Sequence, residues 1–170
     1  ALRHEADRMV NARFEFDEVD SERTVIISER QGLENSPLFW LAEEVSAAAF
    51  RVHGYHHEII GDLHDLNTMT RDDLYNHYRT YYAPNNAIVA AVGAFDTTTM
   101  LERISELFGG IPSKAIPAKF SRTEPEQFGE RRVRVERPGT TAFLEYAYRA
   151  PPGDHPDFYA LTILNSILTG

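Results

Sequence analysis

An α+β fold is what the order of elements predicts. Three observations carry it. Several stretches space their apolar residues with helical period. Three others read as strands: "NAIVAAVGAF" (86–95) is a run of small and branched residues, "RRVRVER" (131–137) alternates with period two, and "TAFLEYAYRA" (141–150) follows a Pro138-Gly139 turn. Strands and helices do not strictly alternate, which favours α+β over a doubly wound sheet.

Residues 1–14 read as the end of a helix, with Leu2, Ala6, Met9 and Val10 on one side. Asp17 is placed to cap the next helix, with Asp20 as its capping-box partner. That helix contains a Thr-Val-Ile-Ile run of strand propensity, a local conflict. Ser36-Pro37 reads as an N-cap and a first-turn proline opening a helix to about Arg51. Residues 52–69 form a polar, His-rich loop. Thr70 and Asp73 make a capping box for a helix to about Tyr82, with Leu74, Tyr78 and Tyr81 on one face, and Pro84 ends it. After the first strand, Asp96 caps "TTTMLERISELF" and Gly109-Gly110 stops it. "IPSKAIPAKFSRTEPEQFG" (111–129) has three prolines and no sustained period, the mark of a linker. Asp154 and Asp157 bracket "HP" ahead of a last helix, "DFYALTILNSIL".

Composition narrows the function. Of the 170 residues, 42% are hydrophobic and 25% charged, an ordinary globular balance. A net charge of −9 argues against nucleic acid and against an anionic membrane surface as partners. The absence of cysteine excludes disulfides and thiolate metal sites. No apolar run reaches the ~18 residues of a membrane span. Both ends open and close in mid-pattern, so the chain reads as truncated at both.

"DSERTVIISER" (20–30) sets Glu22 and Glu29 seven residues apart. Seven residues are two helical turns, so both carboxylates share a face with Val19, Val25, Ile26 and Leu33. A charge on an apolar face needs water, a cation or a metal. Two readings follow: a half-buried face whose glutamates snorkel to water or an arginine, or one metal ligand with a supporting neighbour. His53, His56, His57, Glu58 and His64 form the densest ligand-type cluster. Loop histidines in such runs are more often surface or packing residues, since a site needs three convergent ligands and a second shell. Tyr75, Tyr78, Tyr81 and Tyr82 are spaced for core packing rather than base stacking. "HEADR" (4–8) misses a His-Glu-x-x-His helix because Arg8 stands at the second histidine.

Together these stretches resemble the M16 metallopeptidases, the insulinase, pitrilysin and mitochondrial processing peptidase group. "ERTVIISE", Glu22 to Glu29, matches the family's distal-ligand stretch. Tyr55, Gly61, Leu74, Tyr82, Pro84, Asn86 and Gly93 fall where its pattern places such residues. The resemblance implies half domains in which helices cover a mixed or antiparallel sheet. It divides the chain into the C-terminal part of a first, zinc-bearing half (1–111), a linker (112–129) and the start of a second half (130–170). It implies a zinc metalloendopeptidase, with Glu29 the zinc ligand and Glu22 a supporting carboxylate close to the site but not bound to the metal. The family's two zinc histidines and catalytic base come from an inverted His-x-x-Glu-His motif. The 28 residues before Glu29 hold only His4. The chain alone is therefore expected to carry no catalytic residue, to bind no zinc and to be inactive. Peptides or unfolded polypeptides are the implied substrate, and a homo- or hetero-oligomer is compatible with the pattern. The compartment is taken as cytoplasmic. Two alternatives stand beside this reading. One is a non-catalytic family member that binds peptides or a partner chain; the other is an unrelated α+β binding domain.

Overall fold

The computed structural model describes residues 1–120 and 122–169. Ser121, within the expected linker, and Gly170, the last residue of the segment expected to start a second half, lie outside the described residues. Among the described residues seven helices follow in order: α1 (Leu2–Asn11), α2 (Phe16–Glu34), α3 (Pro37–Ala49), α4 (Leu63–Thr68), α5 (Arg71–Tyr81), α6 (Thr97–Phe108) and α7 (Phe158–Thr169). Short 3₁₀ turns sit at Gly54–His56 and Pro84–Asn86. α2 packs against α3 and α4, and α1 packs against α6.

The expected α+β fold is not what the chain forms: among the described residues there is no strand, and all regular structure is helical. Beyond Asn86, which closes the second 3₁₀ turn, the segments 87–95, 131–137 and 141–150 are irregular and largely exposed. Ile88 is 97% exposed and Val92 98%. Period-two patterning and branched side chains favour an extended backbone, but a strand exists only through ladder hydrogen bonds to a neighbour. None of the three segments finds such a neighbour within the described residues.

The helix starts are written locally. Thr70 and Asp73 cap α5 reciprocally: the Thr70 hydroxyl accepts from the Asp73 N–H at 3.2 Å, and the Asp73 carboxylate accepts from the Thr70 N–H at 2.8 Å. Asp96 accepts from the Thr99 N–H at 2.8 Å and caps α6. Ser36 precedes Pro37 at the start of α3, as expected. Asp17 is not the cap of α2. The helix opens at Phe16, which leaves Asp17 in the first turn, where the helix dipole favours a carboxylate. Asp20 pairs instead with Arg23 at 2.7 Å. The stretch expected as loop, 52–69, contains α4. Its signal was Asp62, which accepts from the His64 N–H at 2.7 Å. Six residues are too few for a helix to stand alone; Leu66 is buried, and α4 leans on α2.

The core is thin. Its buried apolar residues are Ala6, Val19, Leu66, Tyr78 and Ala83. Of the four tyrosines expected in the core, Tyr78 is buried, Tyr75 is half-buried, and Tyr81 and Tyr82 are exposed. The chain exposes 13900 Å², where a compact monomer of its mass would expose about 8,500 Å². Apolar side chains on 141–148 and on α7 make up part of that excess. The 170-residue chain is accordingly expected to bind a hydrophobic dye such as ANS in native buffer, with an emission rise that a compact protein of this size does not give. Emission no higher than that of such a protein would show that these faces are covered in solution.

Candidate functional site

α2 is a single unbroken helix through Thr24-Val25-Ile26-Ile27, despite the strand propensity of that run. Glu22 and Glu29 are both exposed on it. Of their expected apolar neighbours, Val19 is buried, Ile26 is half-buried, and Val25 and Leu33 are exposed. The face bearing the carboxylates thus looks to solvent.

The buried charge on α2 is Arg30, which sequence reasoning missed. It is 4% exposed. Its Nε donates to Glu34 at 2.9 Å, its Nη2 to Glu43 of α3 at 3.0 Å, and its Nη1 to the Gly61 carbonyl at 2.6 Å. The guanidinium also lies 5.3 Å from the centre of the Phe39 ring. Burial works against the charge, but hydrogen bonds to Glu43 and Glu34 outweigh it and hold the group above its ordinary range. Gly61 adopts a left-handed φ of 87°, open to glycine at little cost, and offers its carbonyl to Arg30 from that turn. The available signal was the Arg30–Glu34 spacing of four, which reads as an ordinary surface pair until α3 covers it.

His53, His56 and His57 are taken up locally. His53 Nδ1 accepts from the Tyr55 N–H at 3.2 Å, and its ring packs edge-on to Tyr55. The ring nitrogens of His56 and His57 lie 2.7 Å and 3.2 Å from the carbonyls of His53 and Glu58. Among the described residues no three His, Cys, Asp or Glu side chains gather to hold a metal ion.

The expected linker is anchored at two points. The Lys114 ammonium donates to the Arg79 and Tyr82 carbonyls at 3.0 and 2.8 Å, closing the C-terminal end of α5. The Glu124 carboxylate accepts from the backbone N–H groups of Arg51, Val52 and His53 at 2.6, 2.9 and 3.0 Å, and Arg149 lies 3.7 Å away. Burial pushes the Glu124 carboxyl up, but the three N–H donors and Arg149 outweigh it and bring it down from 4.5 to about 2. A carboxyl depressed by folding contributes stability above its unfolded value and loses it as pH falls. The Glu124 contribution is therefore complete above about pH 4.5 and disappears toward pH 2. In melting curves, the gap between the chain and Glu124→Gln should be full at pH 6 and close between 4.5 and 2. A gap independent of pH would refute the carboxylate anchor.

Zinc takes oxygen ligands at about 2.0–2.2 Å. Residues seven apart on a helix are about 10.5 Å apart along its axis, so an ion held closely by one of Glu22 and Glu29 lies about two turns from the backbone of the other. Chemically, α2 can offer one exposed carboxylate to a metal whose remaining ligands come from elsewhere, with the second carboxylate two turns away. That fits a single-ligand contribution and does not amount to a complete site.

A helical scaffold offering one carboxylate is the class these features define, and comparison with known proteins gives the family. Residues 68–170 match the family model described as "Peptidase M16 inactive domain". The chain is 31% identical to "Zinc protease PqqE" of Helicobacter pylori over 96% of its own length and 38% of that protein. It is 27% identical to "Probable mitochondrial-processing peptidase subunit beta, mitochondrial" of Arabidopsis thaliana, over 96% of its length and 31% of the relative. A solved structure, "The crystal structure of a protease from Helicobacter pylori", superposes with a TM-score of 0.67 at 31% identity, covering 73% of this chain and 31% of that one. The chain belongs to the M16 peptidase family. It spans about a third of the length of the curated relatives it matches.

Proposed function

We propose that the chain is part of a zinc-dependent metalloendopeptidase in which Glu29 is the distal zinc ligand and Glu22 supports the site from outside the coordination sphere. The observation carrying this reading is the pair of exposed carboxylates, two turns apart on α2, inside the Glu22–Glu29 stretch of an M16 family member. Relatives named zinc proteases support zinc as the cofactor. Bound zinc supplies Lewis-acid activation of water and of the scissile carbonyl. This chain's share is to hold one accessible carboxylate on a helix, with Glu22 to orient a neighbouring ligand by hydrogen bonding. The substrate is a peptide or unfolded polypeptide. Residues 1–111, 112–129 and 130–170 are proposed as part of a zinc-bearing half, a linker and the start of a second half.

The 170 residues contain no His-x-x-Glu-His, so this segment alone is expected to leave peptides intact. The test is cleavage of a quenched peptide pool by the full-length protein with and without zinc, beside the 170-residue chain. Zinc-restored cleavage by the longer protein alone supports the reading. Cleavage by the 170 residues, or zinc-independent cleavage by the longer protein, defeats it.

A second reading, a non-catalytic subunit that binds peptides or a partner chain, is favoured by the match of residues 68–170 to a domain described as inactive. Relatives named as subunits support assembly into a homo- or hetero-oligomer. A degraded His-x-x-Glu-His in the longer protein would select this reading. A cytoplasmic location is part of the proposal, and cell fractionation tests it against the mitochondrial location in the name of the Arabidopsis relative. No helix among the described residues is long and apolar enough to cross a membrane.

A further inference from the structure

α2 carries a second pair with the same spacing. Arg23 follows Glu22 and Arg30 follows Glu29, so the arginines are also seven apart. One residue along an α-helix is a rotation of about 100°. The arginine stripe therefore faces sideways from the carboxylate stripe, toward the neighbouring elements. Both arginines end on backbone carbonyls, and those carbonyls bracket α4. Arg30 Nη1 donates to Gly61 O at 2.6 Å, just before α4, and Arg23 Nη2 donates to Met69 O at 2.7 Å, directly after it. Arg23 is steadied by Asp20 at 2.7 Å, and Arg30 by Glu34 and Glu43.

We propose that Arg23 and Arg30 are positioning residues that bolt α2 to both ends of α4, fix its roll, and so set the direction in which Glu22 and Glu29 are presented. Two donors seven residues apart, each held to a backbone acceptor, resist roll and sliding together; one such contact leaves α2 free to pivot about it. The functional consequence rests on reading Glu29 as the zinc ligand. A roll of about 10° on a helix of about 5–6 Å radius moves a side-chain tip by about 1 Å. A metal bond tolerates about 0.2 Å. Small losses of roll control are thus large on the scale of ligation.

Two measurements test the proposal. The chain has no cysteine, so a spin-label pair introduced by Glu29→Cys on α2 and Asn67→Cys on α4 is unique. In the 170-residue chain the distance distribution between the labels should broaden or shift with Arg30→Leu and, to a lesser degree, with Arg23→Gln. The Lys variants should recover part of the parent distribution. An unchanged distribution in both apolar and neutral variants overturns the bolt, whatever Glu29 does. If Arg30→Leu does not fold, the more exposed Arg23→Gln carries this test. In the full-length protein, zinc release to a chelator, read well below each variant's Tm, should speed up roughly 10–100-fold in Arg30→Leu, the range for a residue supporting a metal ligand. A lowered Tm with unchanged release, while Glu29→Gln speeds release, overturns the positioning role. Release unchanged by Glu29→Gln defeats the ligand reading instead, and the spin-label result then decides the bolt by itself.

Discussion

Glu29→Gln in the full-length protein is expected to lower zinc-dependent peptide hydrolysis by more than the 10–100-fold typical of a residue that only supports a ligand. Glu22→Gln is expected to fall within that 10–100-fold range. The order follows from the proposed reading: Glu22 and Glu29 sit two turns apart on α2, and the resemblance of their stretch to the family's distal-ligand stretch implies the ligand role for the second. Glutamine keeps the size and removes the charge, so zinc loses an anionic donor and should be depleted from the purified protein. In the 170-residue chain, where Glu29 is exposed, the fold should hardly respond, with a stability change within about 0.5 kcal/mol. The measurements are kcat/KM on a quenched peptide, zinc content, and Tm. Equal effects of the two substitutions, or a larger effect at Glu22, would reverse the assignment. Lost activity with full zinc content would make Glu29 something other than a ligand.

Tyr78→Ala should be the most damaging single change to the folded chain, at about 3–5 kcal/mol. Tyr78 is 3% exposed. Its ring packs 5.3 Å from Phe14 and 5.0 Å from Tyr82. Its hydroxyl donates to the Arg8 carbonyl at 2.9 Å and accepts from the Ala12 N–H at 3.2 Å. One side chain thus fastens the end of α1 to α5. The contact also supports Phe14, which holds an uncommon positive φ of 56° for a non-glycine residue. Tyr78→Phe keeps the ring and leaves two backbone groups without their partner, a cost of about 1–3 kcal/mol. With so few buried side chains to share the loss, the alanine variant should unfold cooperatively at much lower urea, read by far-UV circular dichroism. A midpoint change worth under about 1 kcal/mol would show that α1 is held by something other than this contact.

Features set by neighbouring residues were legible in the sequence. The Thr70–Asp73 box, the Asp96 cap, and Ser36-Pro37 ahead of α3 depend on residues within one helical turn, and each helix begins where they indicate. The seven-residue spacing of Glu22 and Glu29 likewise places both on one face of any continuous helix. Family membership was legible for the same reason, since it lies in the order and identity of residues. Three things depended on partners distant in sequence. The expected strands did not form, because alternation prepares a segment for pairing but cannot supply the second strand. α4 formed although it is too short to be read from its own period, because Leu66 is covered by α2. Which charge on α2 is buried was decided by α3 and the Gly61 turn, more than ten residues away in the chain: Arg30 meets the Glu43 carboxylate and the Gly61 carbonyl there, with Glu34 of its own helix beside it, while Glu22 and Glu29 face water. Spacing along a helix determines which side chains share a face, and only what packs against the helix determines which face is buried.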